Sequence, residues 1–140
     1  MPRSALLAAF LTLAVAAPAA GQLAKGRGAP LKEAETKAAL FGIDMQGYSP
    51  TYGFAWRECI EPTGKTLYET PDRTSRGRLE VSLDGRACFS YEDDNYEYQG
   101  CYVTYRTATG ALRFEGESKE LFVTTKVITG VTTCERQLIG

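Results

Sequence analysis

Residues 77–107 read GRLEVSLDGRACFSYEDDNYEYQGCYVTYRT, the part of the chain with the strongest strand and turn signals. Three runs rich in Leu, Val, Phe and Tyr are separated by Asp84-Gly85 and by a polar segment centred on Asp94-Asn95. Short runs of β-branched and aromatic residues bounded by turn residues read as strands, and an Asp-Gly pair supplies the positive φ angles that a tight hairpin requires. The stretch therefore predicts an antiparallel meander with strands over 77–83, 86–92 and 100–107. Two-residue turns at both places set Val81 opposite Cys88, Leu79 opposite Ser90, Cys88 opposite Cys101 and Phe89 opposite Gly100. On that register one face holds Leu79, Val81, Leu83, Cys88, Cys101 and Val103 as a core. The other collects Phe89, Tyr91, Tyr98 and Tyr102 beside Glu80 and Arg106.

The cysteines extend the argument. There are four, Cys59, Cys88, Cys101 and Cys134, and four cysteines allow three pairings. The symmetric hairpin between Cys88 and Cys101 brings those two sulfurs together across neighbouring strands. Cys59 and Cys134 remain, and their bridge ties an early strand to the carboxyl-terminal segment. Two disulfides imply an oxidising compartment, whereas a zinc site is disfavoured because no CxxC spacing occurs.

Outward from the central stretch the same punctuation continues. Further short strands are expected over 44–48, 52–60, 66–69, 111–115 and 120–129, with turns at Pro62-Thr63-Gly64 and Ala108-Thr109-Gly110. About eight strands in all make a small antiparallel sheet or barrel. One short helix precedes them over 31–40, where Leu31, Ala34, Ala38 and Phe41 recur at helical spacing and Gly42 stops it. Residues 21–30 carry glycine, proline and charge without periodicity and read as a flexible lead. At the amino terminus Arg3, the apolar run 5–17 and Ala17-Pro18-Ala19 form a signal-peptide pattern over 1–20, which predicts a periplasmic or extracellular product. No later segment approaches the ~20 apolar residues of a spanning helix. The remainder, 31–140, reads as a single disulfide-stapled β domain and as a monomer.

Composition narrows the chemistry. Without Arg3 the chain carries 15 basic groups against 17 acidic ones, too even a balance to favour nucleic acid or an anionic membrane. There is no histidine, which removes the commonest general base and metal ligand. No SxxK or GxSxG motif occurs. Glu58, Glu61, Glu92 and Asp93 show no spacing that singles out a glycosidase pair, and the tip 92–97 lacks the alternating acids of a calcium loop. No cofactor or metal is expected, and no catalytic residue is assigned. Alternation places Phe54, Trp56 and Glu58 on one side of their strand, with Trp56 expected in the core.

Two features remain as candidate partner-binding groups. The strip Phe89, Tyr91, Tyr98 and Tyr102 is more aromatic than a solvated face; either the helix packs on it, or it recognises a protein or glycan. Arg73 and Arg76 lie in a loop with local positive charge, which suits an acidic partner.

Leu40-Phe41-Gly42, the strand and turn 58–64, Tyr68, Gly77-Arg78-Leu79, Cys88-Phe89 with Tyr91-Glu92, Cys101-Tyr102 and Phe114 together resemble a loose group of small, largely uncharacterised exported proteins of proteobacteria, over about residues 40–130. The resemblance implies a shared fold and export and transfers no catalytic residue. In size and disulfide use the chain is also similar to periplasmic lysozyme and protease inhibitors built on small barrels, an analogy at fold level. The function expected is a non-enzymatic periplasmic binding or inhibitor module. An envelope structural or stress protein is the alternative, and a carboxylate-based hydrolase the third.

Overall fold

The computed structural model describes residues 27–94 and 99–135. The expected signal peptide, residues 21–26 of the lead, the tip 95–98 with Tyr98, and residues 136–140 lie outside them. A helix α1 (Glu33–Leu40) is followed by eight strands: β1 (Ile43–Ser49), β2 (Phe54–Ile60), β3 (Lys65–Glu69), β4 (Thr74–Val81), β5 (Ala87–Tyr91), β6 (Gln99–Arg106), β7 (Leu112–Gly116) and β8 (Leu121–Thr129). Each strand pairs antiparallel with the next, and β8 pairs with β1, so the sheet closes into an up-and-down barrel. Closure leaves no sheet edge for another chain to extend.

The register of β4 against β5 departs from the expected one. Val81 faces Ala87 and Leu79 faces Phe89, because three residues, Leu83, Asp84 and Gly85, form the connection. The Gly85 N–H donates to the Ser82 carbonyl and the Ser82 N–H to the Arg86 carbonyl. Gly85 has φ +88°, the left-handed residue that completes a three-residue hairpin. A one-residue change of register moves a whole strand's side chains to the other face. Leu79 thus joins Phe89 on the inner face, the Cys88–Cys101 pair lies on the outer one, and Leu83 is 90% exposed at the tip instead of in the core. The β5–β6 register is as expected, with Cys88 opposite Cys101 and Phe89 opposite Gly100. Both disulfides join the expected partners, Cys88 to Cys101 and Cys59 to Cys134.

Strand β4 also begins earlier than expected, so Arg76 sits on a strand and not in a loop. The connections after β2, β4 and β6 share one end of the barrel with α1, and those after β1, β3, β5 and β7 share the other. Helix α1 closes its end. The Thr36 hydroxyl donates to the Gly85 carbonyl at 2.8 Å, and Leu40, fully buried, joins Ile43, Ile60, Leu79, Ala87 and Leu112 in the core. The buried face of the helix is therefore Thr36 and Leu40, four residues apart; Ala34 and Ala38, expected to be buried, are exposed. Nor does the helix lie over the aromatic strip, which faces the barrel interior. Residues 27–30 of the expected lead run against β6: Pro30 bridges Tyr105, the Leu31 N–H donates to the Thr104 carbonyl, and the Arg27 guanidinium lies 4.4 Å from the centre of the Tyr105 ring.

Candidate functional site

Alternation along each strand decides what reaches the interior. On β2 it sends Phe54, Trp56, Glu58 and Ile60 inward; on β5, Ala87, Phe89 and Tyr91; on β7, Leu112 and Phe114. Near α1 the inward residues are aliphatic and fill the space. Toward the other end they are aromatic and do not, leaving a cavity of about 520 Å3. Tyr52, Thr70, Asp72 and Arg73 line its mouth, which identifies the open end as the one opposite the helix. The volume lies within the range of pockets that enclose small organic molecules.

The rings hold one another in place. Trp56 meets Phe114 and Phe122 edge to face, at 6.3 and 5.9 Å between centres. Tyr102 meets Phe122 in the same way at 5.7 Å, and Tyr91 lies 5.4 Å from Tyr68. Such arrangements are favourable beyond the area they bury. At the mouth, Tyr52 stacks on Phe54 at 5.7 Å, and Arg73 lies 3.4 Å from Asp93 and 6.0 Å from the Tyr91 ring centre.

One charged group sits in this lining. Glu58 is 3% exposed, and its Oε2 accepts a hydrogen bond of 2.9 Å from the Tyr91 hydroxyl. The bond spans three strand spacings, from β5 to β2, and Gly77 on β4 makes room for it: a Cβ there would come 2.6 Å from Tyr91 Cδ1. The other carboxylate oxygen, Oε1, has no hydrogen-bond partner among the described residues. The Thr66 hydroxyl, on the neighbouring strand, is beside the carboxyl but makes no bond of good geometry. Burial pushes the Glu58 carboxyl up from the usual range to about 8, against the smaller opposing effects of Tyr91 and Thr66. Burial, reinforced by the neighbouring Glu58, also raises Tyr68 to about 12 and Tyr91 well above its ordinary value. At neutral pH the Glu58 carboxyl is therefore protonated, and Tyr68 and Tyr91 are neutral.

Of the residues expected to bind a partner, Phe89, Tyr91 and Tyr102 come together inside the barrel and Arg73 stands at its mouth. Arg76 points elsewhere, on the outer face of β4 beside Glu135 at 3.9 Å, and Tyr98 is outside the described residues. Sequence reasoning missed Glu58, Tyr68 and Phe122 as members of the site. The signal for Glu58 was an acid in phase with Phe54 and Trp56 on one face of a strand. Of the other acids considered for hydrolysis, Glu61 is engaged at the helix end, accepting the Cys134 N–H at 3.1 Å. Among the described residues, Glu58 and Asp72 are the carboxylates that line the cavity. Among the described residues no group of three or more His, Cys, Asp or Glu is placed to hold a metal ion, and no helix is long and apolar enough to cross a membrane. Comparison with protein-family models, with curated proteins and with solved structures gave no match.

Proposed function

We propose that the protein is a non-enzymatic binding module that takes a small, largely apolar ligand into the barrel. The observation that carries this is the aromatic cavity, open at one end and sealed at the other by Leu40 and the aliphatic core. A core at ordinary packing density leaves no void of this size, and burying a ligand's apolar surface among eight strands yields affinity without any catalytic group. Of the partner classes expected from sequence, a protein or a glycan, the inward position of Phe89, Tyr91 and Tyr102 favours a ligand small enough to enter, such as a metabolite or a single sugar end. The two disulfides suit work outside the reducing cytoplasm, in the periplasm or beyond the cell, and a closed barrel suits a monomer.

Trp56 is the chain's single tryptophan and lines the cavity, so the protein carries its own reporter. The neutral dye N-phenyl-1-naphthylamine is expected to bind at one saturable site, gaining fluorescence while quenching Trp56 by energy transfer. At a hundred times Kd it should raise the melting temperature by about 10 °C. Absence of both quenching and thermal shift would overturn the proposal.

A further inference from the structure

The cavity contains a feature that an apolar ligand alone does not explain. A carboxyl group surrounded by rings, with one oxygen unpartnered among the described residues, is expensive to bury. A barrel that merely needed a filled wall would be more stable with Leu or Met at position 58. The groups around the carboxyl share one chemistry: the Tyr91 hydroxyl donates to Oε2, the Thr66 hydroxyl lies alongside, and Tyr68 is its cross-strand neighbour on β3. These are donors and electron-rich rings, the surroundings of an anion awaiting a cation. Among the described residues, the cationic side chain in the lining, Arg73, stands at the mouth with Asp93 and not against Glu58.

Resting on the reading of the cavity as a ligand site, we infer that the ligand is an amine on an apolar or aromatic body, its ammonium pairing with the Glu58 carboxylate among Trp56, Tyr68 and Tyr91. Pairing requires the ionised carboxylate, and burial keeps the carboxyl protonated below about pH 8 in the absence of a cation. Binding of the ammonium ion therefore displaces the carboxyl proton to solvent, one proton out for one cation in. The titratable groups that bear on Glu58 are Tyr91 and Tyr68, with Tyr102 acting on Tyr91, and Arg73 and Tyr52 on Tyr68. Both tyrosines next to Glu58 titrate well above pH 8, and Met45, opposite on β1, carries no charge. Glu58 thus changes charge near pH 8, below either of these tyrosines.

Three compounds with one body and different heads, 4-phenylbutylamine, 4-phenylbutanol and 4-phenylbutyrate, test the inference by displacement of N-phenyl-1-naphthylamine and by calorimetry. At pH 8 the amine is expected to bind about tenfold or more tighter than the alcohol, the value of one charge-assisted contact. Its affinity should fall about tenfold per pH unit between pH 7 and 5, while that of the alcohol stays flat. Calorimetry of the unaltered protein at pH 6 in two buffers of different ionisation enthalpy should register release of about one proton per amine. In Glu58→Gln, shown to be folded by its near-ultraviolet circular dichroism, the amine preference and its pH dependence should vanish. Equal binding of the three compounds, or preference for alcohol or acid, would overturn the amine assignment while leaving the cavity reading intact. Failure of the dye itself to bind defeats that reading instead. An alcohol that gains affinity as the pH drops identifies the protonated carboxyl as a donor to a neutral ligand and likewise overturns the assignment.

Discussion

Glu58 occupies a position where the local sequence rule and the tertiary environment conflict. The strand FAWRECI alternates, and alternation alone sends residue 58 to the same side as Trp56. What alternation does not say is that this side is the interior of a closed barrel, where an ionised carboxylate is poorly solvated. The consequence for stability has a definite sign. The carboxyl is raised from 4.5 to about 8 on folding, so between those values the folded chain holds a proton that the unfolded chain releases, and stability falls as pH rises. Comparing the wild type with Glu58→Gln by urea denaturation at pH 5 and pH 8, the wild type should lose on the order of 3 to 5 kcal/mol relative to the variant. An unchanged difference would mean that the carboxyl is solvated in the folded protein.

At the scale of elements, the hairpin β4–β5 and the helix α1 show where pattern reading succeeds and where it stops. Strand existence was legible, because runs such as ACFSY and QGCYVTYR are bounded by turn residues. The hairpin register was not, because Asp-Gly serves equally in a two-residue turn and in a three-residue turn with Gly85 left-handed. The single extra residue, Leu83, left Leu79 in the core as expected but put Phe89 and Tyr91, and not Cys88, on its face of the sheet. The helix presents a similar case. Its alanines are in phase with Leu31, yet the face that docks is set by Thr36 meeting the Gly85 carbonyl and by Leu40 entering the barrel end. Truncating this plug, Leu40→Ala, should cost about 2 to 5 kcal/mol by thermal or urea unfolding; a cost below ~1 kcal/mol would show that the helix is not part of the cooperative unit. The disulfides act at the same scale. Cys59–Cys134 closes a separation of 75 residues and Cys88–Cys101 one of 13. Loop-closure entropy therefore makes the paired alanine variant of the first bridge the more damaging, about 4 kcal/mol against about 3. The reverse order in urea midpoints would place the stabilisation in native contacts instead.

At the scale of the molecule, closure of β8 onto β1 turns an aromatic strip into the wall of a cavity. The bonding runs along β1 from Ile43 opposite Thr129 to Tyr48 opposite Val123, through a bulge at Gln46 and Gly47. Once the sheet is closed, Phe89, Tyr91 and Tyr102 share their interior with Trp56, Phe114 and Phe122, which come from distant parts of the chain. An antiparallel barrel with short connections and one helical plug is a rigid container. Ligand entry is therefore expected at the mouth beside Arg73 and Tyr52, with little change elsewhere.

The amino-acid sequence on its own determined the class of the fold, the helix before the strands and most of the turns, and favoured, among three possible pairings, the cysteine pairing that the structure shows. These follow from local propensity, from period-two alternation and from symmetry about a polar tip, all short-range properties of a chain. The closed topology, the β4–β5 register, the docking face of α1 and the isolation of Glu58 among aromatic rings were decided only by the tertiary structure. Each depends on which residues distant in sequence share one interior, and the cost of burying a charge there belongs to that interior and not to the strand that carries it.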